Sequence, residues 1–154
     1  MRKNTYPNEG GFTLLEVVLT LAILGVLAAI AVVAYRGYIE ASRTASAINQ
    51  ITGLELVIDD YQREYQKFPS TLAEVDNGTL LDPWGHPYQY LDIADTASTG
   101  MVRKDHNLVP INTDYDLYSM GPDGQSKPPL TAPTSKDDII RANNGRYVGL
   151  ASGY

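Results

Sequence analysis

Hydrophobic and polar positions are unevenly distributed along this chain. Between Glu16 and Arg36, nineteen consecutive residues, VVLTLAILGVLAAIAVVAY, carry no charge. As a helix this run spans about 28 Å, close to the hydrocarbon thickness of a bilayer. From Arg36 onward the charges return, and apolar residues recur in steps of three and four: Ile48, Ile51, Leu54, Ile58, Tyr61, Tyr65 and Phe68. That spacing predicts one apolar stripe on a helix that continues past the uncharged run. Pro69 ends the pattern, because the residue before a proline is driven out of helical conformation. A helix from about residue 12 to residue 66 would be about 80 Å long.

The downstream elements are short. Thr71-x-x-Glu74 is a capping-box pattern, with Ser70 an equally good cap, and predicts a short helix. Asp76-Asn77-Gly78 and Asp82-Pro83-Trp84-Gly85 read as turns, and the alternation of Tyr88, Tyr90 and Ile93 reads as a strand. Residues 94–112 are irregular, with Gly100 and Pro110 as breakers. A second strand is expected at Asp114–Met120, then a turn at Gly121-Pro122-Asp123-Gly124. Residues 125–136 form a loop rich in Pro, Ser, Thr and Lys, and 137–154 read as a short helix or turn with an edge strand at Arg146–Leu150. Trp84 is expected to plug the core between helix and sheet. These elements predict an α+β fold: a long N-terminal helix, transmembrane in its first half and amphipathic in its second, packed on a small antiparallel sheet.

Composition narrows the functional classes. At 154 residues, removing the apolar run leaves one modest domain. The formal charge is −6, and no Lys/Arg cluster is long enough to follow a phosphate backbone, so no nucleic-acid partner is expected. The absence of cysteine excludes disulfides, thiolate nucleophiles and cysteine-based zinc sites, and says nothing of compartment. His86 and His106 are isolated, and no G-x-S-x-G nucleophile motif occurs. No enzymatic activity is expected.

The apolar run admits three readings. A buried core helix conflicts with apolar residues on every face. A cleavable secretory signal needs a small-x-small site, for which Ala28, Ala29 and Ala31 would serve. A retained membrane helix fits the flanks best, because the short polar leader MRKNTYPNEGG carries Arg2 and Lys3 as a cytoplasmic anchor. The following G-F-T-L-L-E resembles the class III signal of type IV pilins and type II secretion pseudopilins. The resemblance implies that a membrane prepilin peptidase/methyltransferase cuts between Gly11 and Phe12 and methylates Phe12. It also implies that Glu16 is an assembly residue. A carboxylate at a bilayer margin is costly without a partner, and a neighbouring subunit's Glu16 can neutralise the new α-amine of Phe12. The alternative is an interfacial charge favoured by the helix macrodipole. Many family members carry a proline at the position of Val33, which leaves Gly25 as the weak point of this helix. The implied organisation is a leader at 1–11, a transmembrane and filament-core helix at 12–35, its amphipathic continuation at 36–68, and a small periplasmic domain at 69–154.

The order DPWGHPYQY, then DYDLYSMGPDGQ, is similar to the C-terminal domain of the major pseudopilins of type II secretion, and implies a ladle-shaped pilin fold. It also implies calcium in a loop held by Asp123, the Met120 carbonyl, Gln125, and an aspartate returning from Asp137 or Asp138. No EF-hand pattern occurs. Without a metal, Asp123-Gly124 is a turn, and the Asp137-Asp138 pair caps a helix at Ile139. Beyond Gln125 the sequence is longer than the common pseudopilin ending. The resemblance implies a structural subunit of a secretion pseudopilus: single-pass in the inner membrane, with its C-terminal domain periplasmic, later part of a periplasmic filament. The implied partners are the peptidase, membrane lipid, identical and related subunits, and an inner-membrane assembly platform with its ATPase. The rivals are a type IV pilus subunit for adhesion, motility or DNA uptake, and a signal-anchored periplasmic binding domain.

Overall fold

The computed structural model describes residues 11–76, 79–94 and 100–154. The expected leader up to Gly10, Asn77 and Gly78 of one expected turn, and residues 95–99 of the stretch expected to be irregular lie outside the described residues. Helix α1 runs Leu14–Tyr65, 52 residues, about 78 Å at the usual rise. It opens with a reciprocal capping box. The Thr13 hydroxyl accepts the Glu16 N–H at 3.2 Å, and the Glu16 carboxylate accepts the Thr13 N–H at 2.8 Å and its hydroxyl at 2.7 Å. It closes at Gln66, whose φ of 57° is the left-handed conformation that stops helices, three residues before Pro69.

The chain divides into two compact units, meeting between Ile39 and Glu40. In the first, Phe12 just before the helix is 86% exposed, and the apolar side chains of α1 are exposed from Leu14 at 83% to Val33 at 73%. In the second, α1 buries Ala47, Ile51, Leu54 and Ile58. That stripe is the predicted one shifted slightly: Ala47 joins it, while Tyr65 is exposed and stacks on Tyr61 with ring centroids 4.5 Å apart.

The stripe packs on a four-stranded antiparallel sheet ordered β1-β2-β3-β4. The strands are β1 (Gln89–Asp92), β2 (Tyr115–Ser119), β3 (Ile139–Ala142) and β4 (Tyr147–Leu150). Alternation in β2 sends Tyr115 and Leu117 into the core beneath α1, with Tyr88 and Ile139 beside them. A helix α2 (Ala73–Asp76) follows Pro69 as expected. Trp84 is half-buried at the edge of this core, and its indole N–H donates to Glu40 at 3.0 Å.

The C-terminal segment departs from expectation. No helix starts at Ile139; Ile139–Ala142 is a fully buried strand, paired with β4 through a hairpin. Its β-branched pair suits a sheet buried on both faces. The turn is Asn143-Asn144-Gly145, with φ values of 54°, 56° and 82°, a left-handed turn chemistry that fits a hairpin. On the face opposite α1, Ile140 and Ala142 meet Ile111, Leu130 and Ala151 in a second core. The residues beyond Gln125 thus cover the other side of the sheet.

Candidate functional site

The implied metal loop is built from the β2–β3 connection. Gly121 and Gly124 both have left-handed φ, 63° and 64°, and each is pinned by a neighbour. A Cβ on Gly121 would lie 2.3 Å from the Asp137 carbonyl oxygen, and one on Gly124 would lie 2.8 Å from His86 Nε2. The His86 ring also meets the Gly121 carbonyl through Nδ1 at 3.0 Å. Beneath it, buried Asp82 accepts the Trp84 and His86 N–H groups and the Ser119 hydroxyl, at 3.0, 2.8 and 2.5 Å. The 82–86 turn therefore forms a platform for the 121–124 turn.

Asp123 and Asp137 come together across this loop. The Asp137 carboxylate accepts the Asp123 N–H at 3.4 Å, and the Asp123 carboxylate accepts the Gln125 N–H at 2.8 Å. Of the two candidate returning aspartates, Asp137 is the one that reaches the turn. Asp138 is fully buried and engaged elsewhere: its Oδ2 accepts Arg103 Nη2 at 2.5 Å and the Ser126 hydroxyl at 2.6 Å. Burial pushes the Asp138 carboxyl up to about 6, against the pull of Ser126 and Arg103. Among the described residues no three His, Asp or Glu side chains gather for a metal. A calcium here would rest on two carboxylates completed by carbonyls and water, a donor set of the kind calcium accepts.

Two arginines, neither anticipated from the sequence, hold this half of the domain. Arg103 ties 125–138 to the second face of the sheet: it donates to Asp138, to Ser126 and to the Lys127 carbonyl, and its guanidinium lies 4.2 Å from the Tyr118 ring centroid. Its backbone N–H donates to buried Asp116, whose carboxyl is raised chiefly by burial. Arg141 does the same on the helix side. It donates to Glu55 at 2.7 Å and bidentately to Asp114 at 2.9 and 2.7 Å.

At the other end of the chain, Glu16 is held by its own Thr13. Gly11 and Phe12 precede the helix, with Phe12 exposed. The Thr13-x-x-Glu16 capping pattern was present in the sequence and was the available signal for that hydrogen-bonded pair.

Residues 6–32 match the prokaryotic N-terminal methylation motif. The chain is similar to the type II secretion system core protein G of Aeromonas hydrophila, 30% identical over 77% of this chain and 86% of that protein. It is 29% identical to the protein of the same name from Pectobacterium carotovorum subsp. carotovorum, over 89% of each. A fimbrial protein of Neisseria meningitidis is 25% identical over 88% of this chain and 81% of its own length. No solved structure is a significant match.

Proposed function

We infer the role of this chain from its family: it belongs to the family of type II secretion system core protein G, the major pseudopilins. It is a structural subunit of a type II secretion pseudopilus. The observation that carries this is the pairing of relatives along most of the chain with an N-terminal helix whose apolar side chains stand exposed from Leu14 to Val33. Such a surface requires lipid or other helices around it.

Before assembly, in this reading, the subunit sits once across the inner membrane with Arg2 and Lys3 in the cytoplasm and the sheet domain in the periplasm. The peptidase cuts after Gly11 and methylates Phe12. Cleavage removes Arg2, Lys3 and Glu9, leaving 10 basic and 17 acidic residues, a formal −7. Glu16, capped by Thr13 in the single subunit, exchanges that local bond for the Phe12 amine of a neighbour. The apolar helices then leave lipid to pack against one another, driven by an assembly platform and its ATPase. The chain's part is structural, with no catalytic step. Calcium belongs to this reading as a clip: Asp123 and Asp137 would hold it with backbone carbonyls, and its charge would offset two carboxylates brought together in one loop. The support is the convergence of those two aspartates on a turn pinned by Gly121. A type IV pilus role draws support from the fimbrial relative, which matches at lower identity.

The test is co-expression with a type II secretion assembly machinery lacking its own core protein G. Restored secretion, with filaments containing this chain under the electron microscope, supports the reading. A chain that stays membrane-bound and restores neither contradicts it.

A further inference from the structure

The domain carries two exposed surfaces of mixed polarity, one lined by carboxylates and one by an arginine. The first is a groove of about 280 Å³ between the end of α1 and α2, lined by Val57, Tyr61 and Tyr65 with the carboxylates of Asp60, Glu64 and Glu74. Glu74 is fixed there by the Tyr61 hydroxyl at 2.6 Å and by the Ser70 N–H at 3.0 Å. Asp60 also pairs with Arg63 on the exposed side. The lining contains no cation. The second surface is a patch beside the β3–β4 turn. Leu108 and Val109 stand 49% and 47% exposed there, and Leu108 and Pro110 share a hollow with Arg146, with no acid in its lining. The Asp105–Leu108 turn is closed by two backbone hydrogen bonds, of 3.0 and 2.7 Å, so Leu108 is held in place before docking.

The two surfaces lie on opposite sides of α1. The β3–β4 turn sits against Glu55: a Cβ on Gly145 would touch its carboxylate. Glu64 follows Glu55 by about two and a half helical turns and so faces the other way, with Val57 and Tyr61 on the same side. A patch on one side that complements a patch on the other cannot close a two-fold dimer. It adds copies head to tail and, when the rotation does not close, gives an open helical polymer.

We propose that the Leu108–Arg146 patch of one copy docks against the Val57–Glu64 groove of the next, and that this is a lateral contact between the sheet domains of successive subunits. Leu108 and Pro110 cover the groove's aromatic and aliphatic floor while Arg146 meets Glu64 and Glu74. The contact rests on the filament reading and adds to it a contact outside the N-terminal helix.

Because the chain has no cysteine, the test has a clean background. In the full chain, expressed with its assembly machinery, the Glu64→Cys, Arg146→Cys double variant yields a ladder of oxidised dimers and higher oligomers. Either single variant yields none. Filaments at normal yield with no ladder overturn the contact while leaving the filament role intact. Charge reversal supplies an independent check: Glu64→Arg and Arg146→Glu each lose filaments, and combining them restores assembly. Filaments at wild-type yield from either single reversal also overturn it. A wild-type chain that forms no filaments contradicts the subunit role, and this contact with it.

Discussion

Arg141 Nε donates to Glu55 Oε1 at 2.7 Å, joining β3 to α1 across 86 residues of sequence. The same guanidinium takes both oxygens of Asp114 and lies 4.0 Å from the Tyr115 ring centroid. Arg141 is 4% exposed, and its carboxylate partners only 16% and 20%. Removing the cation leaves two poorly solvated carboxylates unpaired, a change that costs about 3 kcal/mol or more. Arg141→Met should therefore lower the unfolding free energy by that amount in urea titration. Arg63→Ala, which breaks an exposed pair with Asp60, should change it by less than about 1 kcal/mol.

Gly121 of the β2–β3 turn and Gly53 of α1 make a second, opposite-signed pair. Gly121→Ala forces a Cβ into the Asp137 carbonyl at a left-handed φ and should cost about 2 kcal/mol. Gly53→Ala meets no atom within 4 Å and sits in helix interior, so it should stabilise by about 0.5–1 kcal/mol. Thermal melts of the two variants should move in opposite directions.

The proposed calcium clip and the Arg103–Asp138 pair are separable by experiment. Calcium at about a hundred times its dissociation constant should add about 2.7 kcal/mol of stability, seen as a higher Tm that a chelator reverses. Asp123→Ala and Asp137→Ala should abolish that calcium-dependent increment. Asp138→Ala strips Arg103 of its buried counter-ion and should lower Tm about equally with and without calcium.

Much of the fold was legible because it rests on long or strongly patterned signals. The apolar run and the Ile51–Ile58 stripe define α1, and Tyr115-x-Leu117-x-Ser119 alternates cleanly enough to give β2. Strand β3 was not legible, because Ile139 and Ile140 are consecutive apolar residues with no alternation and follow two aspartates that mimic a helix cap. The Asn143-Asn144-Gly145 turn was the signal that outweighed them. Of the proposed calcium loop, Asp123 is assigned by resemblance, whereas Asp137 rather than Asp138 faces the turn because Asp138 is held by Arg103, which lies 35 residues away in a stretch that reads as irregular. Long-range charge pairing leaves no local pattern.

Glu16 has one partner in the structure, Thr13, and one proposed, the Phe12 amine of a neighbour. Thr13→Ala removes the cap but keeps the carboxylate, so it should cost about 1 kcal/mol of helix stability and still permit assembly. Glu16→Ala should leave the subunit membrane-bound and unable to polymerise. Filaments of normal length from Glu16→Ala would remove the assembly role from this residue.

The intact mass of the mature chain, extracted from membranes or filaments of a cell carrying the peptidase, tests the central claim most directly. The expected species has 143 residues, the 154 of the full chain less the eleven of the leader, with one methyl group on the amine of Phe12. A mature chain that begins downstream of Ala31, without the apolar helix, would contradict the account.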